Sequence, residues 1–288
     1  MRIALVHDGL LNKGGAERVL LNMHKAFPNA PIYTSVFNKQ KCYPEFQDCD
    51  IRTSWLQSIT INEKIYKSTF PFLGVNAMQS HDLSKYDVIL ASTTHSAKYV
   101  TTGDNNLVIN YCYTPFRLAW NPNSYKPYED SKGLYRLVFN KIIANLKKID
   151  FKFAQRANKY IAMTPETSNR IKTHYQINDK IEIINPSIDT DNYYISNKTN
   201  DYYLIVSRLE KYKMVDLAIH AFNKTGKPLK IIGRGMEETR LKNIANDNIE
   251  FIGSVSQNEL VEYYSMCRAL IFPQLLSYFQ IWVRVVHQ

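Results

Sequence analysis

Short apolar runs rich in β-branched residues alternate along this chain with stretches whose apolar residues recur at helical spacing. That alternation is the punctuation of an α/β protein. In the first half it predicts strands over 2–6, 31–36, 87–91, 107–111, 159–163 and 181–184. Val88-Ile89-Leu90-Ala91 and Val108-Ile109 are almost unbroken apolar runs, as parallel strands covered on both faces require. Between the first two strands, Ala16, Val19, Leu20, Met23 and Phe27 share one helical face. A longer helix is predicted over 133–157, with Val138, Ile142, Leu146, Ile149 and Phe153 as its apolar stripe. Lys141, Lys147, Lys148, Lys152 and Arg156 occupy its other faces. This is the pattern of a surface helix with a solvated lysine face. The same stripe and charge also suit contact with an anionic membrane.

The segment from Asn185 to Asn200 is polar, rich in turn formers and aperiodic, and reads as a linker. After it the alternation restarts, with strands predicted over 202–207, 228–233, 249–253 and 269–273. Three helices separate them, striped by Met214, Leu217, Ala218, Ala221 and Phe222, by Met236, Leu241, Ile244 and Ala245, and by Leu260, Val261, Tyr264 and Cys267. The expected organisation is therefore a first domain over 1–187, a linker over 188–200, a second domain over 201–273 and a tail over 274–288. Both domains are expected to be Rossmann-like doubly wound sheets, facing each other so that the strand C-termini line a shared cleft.

Composition narrows the function only a little. With 288 residues, 45% of them hydrophobic, the chain can build two ordinary cores. No run is long enough to span a membrane, and the short apolar start is a strand rather than a leader, so a cytoplasmic protein is expected. The four cysteines, Cys42, Cys49, Cys112 and Cys267, form no metal-ligand spacing, and Cys112 and Cys267 read as buried thiols. A net charge of +10 favours anionic partners without choosing among them. No zinc finger, aromatic RNA-binding motif or basic zipper is present, which argues against nucleic acid.

Four segments could carry chemistry. Gly14 and Gly15 stand where the first strand turns into the first helix. There the N-terminal N–H groups could receive an anion, or the glycines could simply make the turn. The pattern is not that of a dinucleotide fold, so no nicotinamide cofactor is indicated. Arg208 and Lys213 flank the loop after the first strand of the second domain. They could neutralise a diphosphate, or pair at the surface with Glu210 or Asp216. Gly233 and Gly235 frame a turn after a buried strand, where the backbone could approach a nucleotide or merely bend. A lone histidine is commonly structural, but His95 follows the C-terminal end of a strand, the usual ligand position, and is the candidate catalytic residue. Asp189-Thr190-Asp191 imitates a metal-binding Asp-x-Asp but lies in the linker, so no metal site is expected.

Together these segments resemble the family-4 glycosyltransferases, the retaining group with the GT-B fold. The resemblance runs in order through Gly14-Gly15-Ala16-Glu17-Arg18-Val19-Leu20, residues 92–98, Tyr113-Thr114-Pro115-Phe116-Arg117-Leu118-Ala119-Trp120 and Ala162-Met163-Thr164. It continues with Asn185-Pro186-Ser187-Ile188-Asp189, then Arg208-Leu209, Tyr212-Lys213 and Val215-Asp216-Leu217-Ala218-Ile219. Ile231-Ile232-Gly233-Arg234-Gly235, Phe251-Ile252-Gly253 and Ala269-Leu270-Ile271-Phe272-Pro273 complete it.

The resemblance implies transfer of a sugar, mannose- or rhamnose-like, from a nucleoside diphosphate sugar to a hydroxyl of a glycan or lipid-linked acceptor. The anomeric configuration is retained, no metal is required, and the setting is bacterial surface polysaccharide synthesis. Arg208 and Lys213 would hold the diphosphate, with Gly14, Gly15, Gly233 and Gly235 also on the donor, while Tyr113, Arg117 and Trp120 would line the acceptor side. Peripheral contact with the inner face of an anionic membrane fits such an acceptor. Two departures stand out. Tyr113 replaces the histidine that many relatives carry before Thr-Pro, and Gln274 to Gln288 contains no acidic residue where the family has Glu-x7-Glu. The tail thus reads as an aberrant terminus of a truncated donor domain, which is expected to weaken turnover. The alternatives are a non-catalytic nucleotide- or partner-binding remnant, and a basic nucleic-acid-binding protein.

Overall fold

A computed structural model describes residues 1–59, 63–187, 190–194, 196, 197 and 200–273. The chain divides into two compact units, Met1–Ser187 and Ile188–Gln288. The tail at 274–288, and with it the expectation of an aberrant terminus, lies outside the described residues, as do Ile188, Asp189, Ile195, Lys198 and Thr199 of the segment read as a linker.

In the first unit seven strands form one sheet in the order β3-β2-β1-β4-β5-β6-β7. They are β1 (Ile3–His7), β2 (Ile32–Thr34), β3 (Ile51–Thr53), β4 (Val88–Thr93), β5 (Leu107–Cys112), β6 (Lys159–Ala162) and β7 (Ile181–Ile183). Every neighbouring pair is parallel. Alternation along β1 shows why both faces are covered. Ala4 and Val6 join a core with Phe153, Ala154, Ile171 and Tyr175, while Leu5 joins Leu20 and Leu21 on the opposite side. Those partners come from α6 (Gly133–Ala154) and α7 (Pro165–Tyr175) on one face and α1 (Gly15–Ala26) on the other. The remaining helices of this unit are α2 (Leu56–Ile59), α3 (Glu63–Gln79), α4 (Arg117–Trp120) and α5 (Lys126–Glu129).

Besides the one-turn helices α2, α4 and α5, three elements of this unit, β3, α3 and α7, lie outside the sequence expectation. β3 is a three-residue edge strand, too short to show a period. α3 carries Pro71 in its interior, which masks the helical pattern. α7 begins with Pro165 at its first turn, and the Thr164 hydroxyl caps it by accepting from Thr167 N at 3.2 Å. α6 stops at Ala154 rather than at 157. Its C-terminal half buries Leu146 and Phe153 as its stripe requires, but Val138 is exposed.

The second unit has a four-stranded parallel sheet in the order β10-β9-β8-β11. Its strands are β8 (Tyr203–Val206), β9 (Leu229–Ile232), β10 (Ile249–Gly253) and β11 (Ala269–Leu270). The helices are α8 (Val215–Thr225), α9 (Glu238–Ile244) and α10 (Gln257–Met266). α10 starts in a complete capping box, Ser256 with Glu259. Again adjacent residues face opposite ways: Ile205 packs with Val215, Ile219 and Leu241, and Leu204 with Ile232 and Cys267. Each unit is a doubly wound, Rossmann-like α/β layer structure. Among the described residues no helix is long and apolar enough to cross a membrane.

Candidate functional site

Open parallel sheets bind ligands beyond the strand C-termini, where the winding direction reverses. In the first unit that switch point lies between β1 and β4, because β1 pairs with β2 on its other side and the later strands continue from β4. The register His7↔Ser92 sets the chain just after β1 beside the chain just after β4.

Asp8 occupies this point and is buried. Its Oδ2 accepts from Thr94 N (2.6 Å), Thr94 Oγ1 (2.6 Å) and His95 N (3.2 Å), and its Oδ1 from Ser96 N (2.6 Å) and Ala97 N (2.7 Å). Burial alone would raise its pKa. The neighbouring His95 and His7, with the bonds from Thr94, outweigh that and hold the carboxyl well below the usual range. Asp8 thus fixes the loop on which His95 stands. The His95 ring packs against both Phe70 and Phe116, at centroid distances of 4.6 and 5.7 Å. Burial lowers its pKa, against the opposing pull of Asp8.

The same loop is held from its other end by Lys98. Its Nζ donates to His95 O and pairs with Asp150 Oδ1, both at 2.7 Å. This ion pair has essentially no exposed surface, the two side chains being 2% and 0% accessible. Asp150 also accepts from Tyr99 Oη, Trp120 Nε1 and Tyr175 Oη at 2.7, 2.7 and 2.8 Å. So many donors are what a buried carboxylate requires. Trp120 further stacks on His174 at 4.9 Å.

Tyr113 is buried, and its hydroxyl is engaged inside the fold. It donates to Ala16 O (3.1 Å), so it must accept from Ser92 Oγ (2.9 Å), which in turn accepts from His7 Nδ1 (3.0 Å). A carbonyl can only accept, and that fixes every proton in the chain. The result ties the first turn of α1, and with it Gly14 and Gly15, to β5 and β4. Gly14 is the N-cap residue, and a Cβ there would collide with the Glu17 carboxylate, whereas one on Gly15 would meet nothing within 4 Å. Arg117 opens α4 and lies 6.0 Å from the Tyr125 ring.

In the second unit the switch point lies between β8 and β11. Arg208 follows β8, exposed, with Nη2 donating to Tyr212 Oη at 3.0 Å. Lys213 stands just ahead of α8, with Nζ 5.3 Å from the Tyr212 ring and 6.0 Å from the ring of Phe272, which follows β11. Burial, and then the nearby Arg208 charge, lower the Lys213 pKa. Asp216 bonds instead with Arg240 at 3.1 Å. Gly233, at φ +135°, has no room for a Cβ because the Ser207 carbonyl fills the space, and the Leu209 backbone does the same at Gly235. Ser207 N donates to Ile232 O and Leu209 N to Arg234 O, both at 3.0 Å. Both glycines therefore let the loop carrying Arg208 lie directly on the turn after β9. Arg208, Lys213, Gly233 and Gly235 form one structural group.

Sequence reasoning missed Asp8, Lys98 and Asp150. Asp8 had a signal, a carboxylate directly after the first parallel strand. Lys98 and Asp150 had none, because nothing local links a lysine to an acid on a distant helix. Among the described residues no three His, Cys, Asp or Glu side chains gather as metal ligands would.

Residues 189–278 match the family described as Glycosyl transferases group 1. The alpha-1,3/1,6-mannosyltransferase ALG2 of Candida glabrata is 23% identical over 249 residues, which are 78% of this chain and 51% of that protein. The chain therefore spans about half the length of that curated relative. Among solved structures, the apo lipopolysaccharide outer core galactosyltransferase WaaB superposes with a TM-score of 0.58 at 13% identity, covering 97% of this chain and 76% of WaaB. Anabaena HepE in complex with UDP gives 0.64 at 14% identity, covering 95% and 74%. The fold is that of the GT-B glycosyltransferases, built from Rossmann-like units. The match to the group 1 glycosyltransferase model falls on its second unit.

Proposed function

We propose that this chain transfers a sugar from a nucleoside diphosphate sugar to a hydroxyl of a glycan or lipid-linked acceptor. In this reading it is a retaining enzyme of the family-4 type, with a mannose- or rhamnose-like sugar, serving bacterial surface polysaccharide at the inner face of the membrane. The observation that carries it is the placing of Arg208 and Lys213 at the switch point of the group 1 unit. A guanidinium and an ammonium held beside each other repel, and a diphosphate between them is attracted by both. As the sugar leaves, negative charge grows on the diphosphate, and those same cations stabilise it without a metal. His95 is the proposed catalytic residue of the first unit. Gly14 and Gly15 are proposed to offer N–H groups to the donor, and Arg117 and Trp120 to serve the acceptor. That HepE was solved with UDP, and that ALG2 is a mannosyltransferase, support the donor class.

A nucleoside diphosphate at about 100 times its Kd adds about 2.7 kcal/mol to stability. UDP and GDP are therefore expected to raise the melting temperature, and Arg208→Ala to remove most of the rise. An Arg208→Ala protein that binds both as tightly as the parent in calorimetry would overturn the donor-site assignment.

A further inference from the structure

The Asp8 carboxylate gathers the N–H groups of Thr94, His95, Ser96 and Ala97, more than is needed to cap a short turn. It also reaches the His95 ring. His95 Nδ1 lies 3.0 Å from Ser96 Oγ, and Ser96 Oγ lies 3.3 Å from Asp8 Oδ1. Nδ1 is itself 3.6 Å from that same oxygen. An ionised carboxylate only accepts, so the single Ser96 hydroxyl proton is drawn to Oδ1, and the oxygen then accepts from Nδ1–H. The Coulomb term agrees, because a bare Nδ1 lone pair facing a carboxylate is repelled and an N–H is attracted. The rings of Phe70 and Phe116, packed against the imidazole and against each other, hold it in this orientation.

We infer that Asp8 is a positioning residue which, through Ser96, holds His95 as the Nδ1–H tautomer and so leaves Nε2 as the hydrogen-bond acceptor. The inference rests on the reading of His95 as the catalytic residue. It implies that His95 meets its ligand as a neutral acceptor, suited to a donor such as a hydroxyl and not to an anion. The other charged groups near the ring act in the same sense or cancel: Lys98 and His7 oppose a charged imidazolium, and Asp150 favours one.

The test is long-range ¹H–¹⁵N correlation on histidine-labelled protein at about pH 8, above the ordinary histidine value of ~6.5. His95→Gln identifies the signal among the seven histidines. The parent is expected to show His95 Nδ1 in the protonated range and Nε2 in the bare range. Ser96→Ala, which keeps every backbone bond to Asp8, is expected to shift both nitrogens toward averaged values. Unchanged His7 signals report that the fold is intact. Asp8→Asn, where it folds, should shift His95 further. A parent His95 protonated at Nε2, or a Ser96→Ala protein with the parent pattern, would overturn the inference. These spectra need no nucleotide, so a failure of the glycosyltransferase reading would appear separately, in the binding experiment.

Discussion

At the residue scale the glycines separate into two kinds. Gly233 has a left-handed backbone and a carbonyl where its Cβ would stand, and Gly235 faces the Leu209 backbone in the same way. Gly15 opens α1 with free space around it. Gly233→Ala should therefore cost about 2–4 kcal/mol, from strain plus overpacking, and displace the Arg208 loop. Gly15→Ala should lie within ~1 kcal/mol of the parent, on the stabilising side, because alanine suits a helix better. Urea titration of the two variants checks this. Equal destabilisation by both would mean that close backbone approach is not what requires glycine at 233. If Gly15→Ala keeps its stability but loses the thermal response to nucleoside diphosphate, the conformational and ligand roles of that position are separated.

Elements show a second contrast, within one helix. The C-terminal half of α6 is built into the core through Ile143, Leu146, Phe153 and the buried Asp150. Its first turns instead leave Leu134, Leu137 and Val138 at 77, 65 and 51% exposure, beside Lys132, Arg136 and Lys141. Apolar side chains ringed by cations suit the boundary of an anionic membrane, and we propose peripheral contact there. Each cation near such a surface contributes about 1 kcal/mol and is screened by salt. Sedimentation with anionic vesicles at low salt should bring the protein down. High salt, neutral vesicles or Leu134→Ser with Leu137→Ser should leave it in solution. Equal binding to neutral and anionic vesicles would sink the electrostatic account.

For the whole molecule, pH reports the summed cost of burying titratable groups. Burial lowers the pKa of His81, His95 and His174. Each takes up a proton more readily once unfolded, so as pH falls below about 6.5 the unfolded chain gains protons first and stability declines. The depressed Asp8 works in a lower window. Its contribution is complete above ~3.9 and is lost as pH falls from there through its folded value. Melting temperature should thus fall in two stages, between about pH 7 and 5 and again below about pH 4. His81→Asn should flatten part of the first stage and leave the second unchanged. A melting temperature constant from pH 7 to 5 would contradict the burial of these rings.

Much of this fold is already legible one segment at a time. The unbroken apolar run Ile3-Ala4-Leu5-Val6 of β1 and the spacing of Val19, Leu20 and Met23 are local, and burial on both faces of the sheet follows from them directly. By the same route the sequence by itself determined the α/β class, the restart of the pattern after the linker, the positions of Arg208 and His95 just past strand ends and that of Lys213 ahead of a helix. What only the tertiary structure decided is which residues those strand ends meet. Asp8 reaches the loop after β4 because β1 pairs with β4 in the register His7↔Ser92, across 85 residues of chain. Lys98 finds Asp150 because α6 packs against the segment 97–99 at that loop's end, and Gly233 is glycine because another loop's carbonyl lies on it. Periodicity carries information over a few residues, set by the geometry of one helix or strand. Convergence depends on register and crossing between elements, which no single segment encodes.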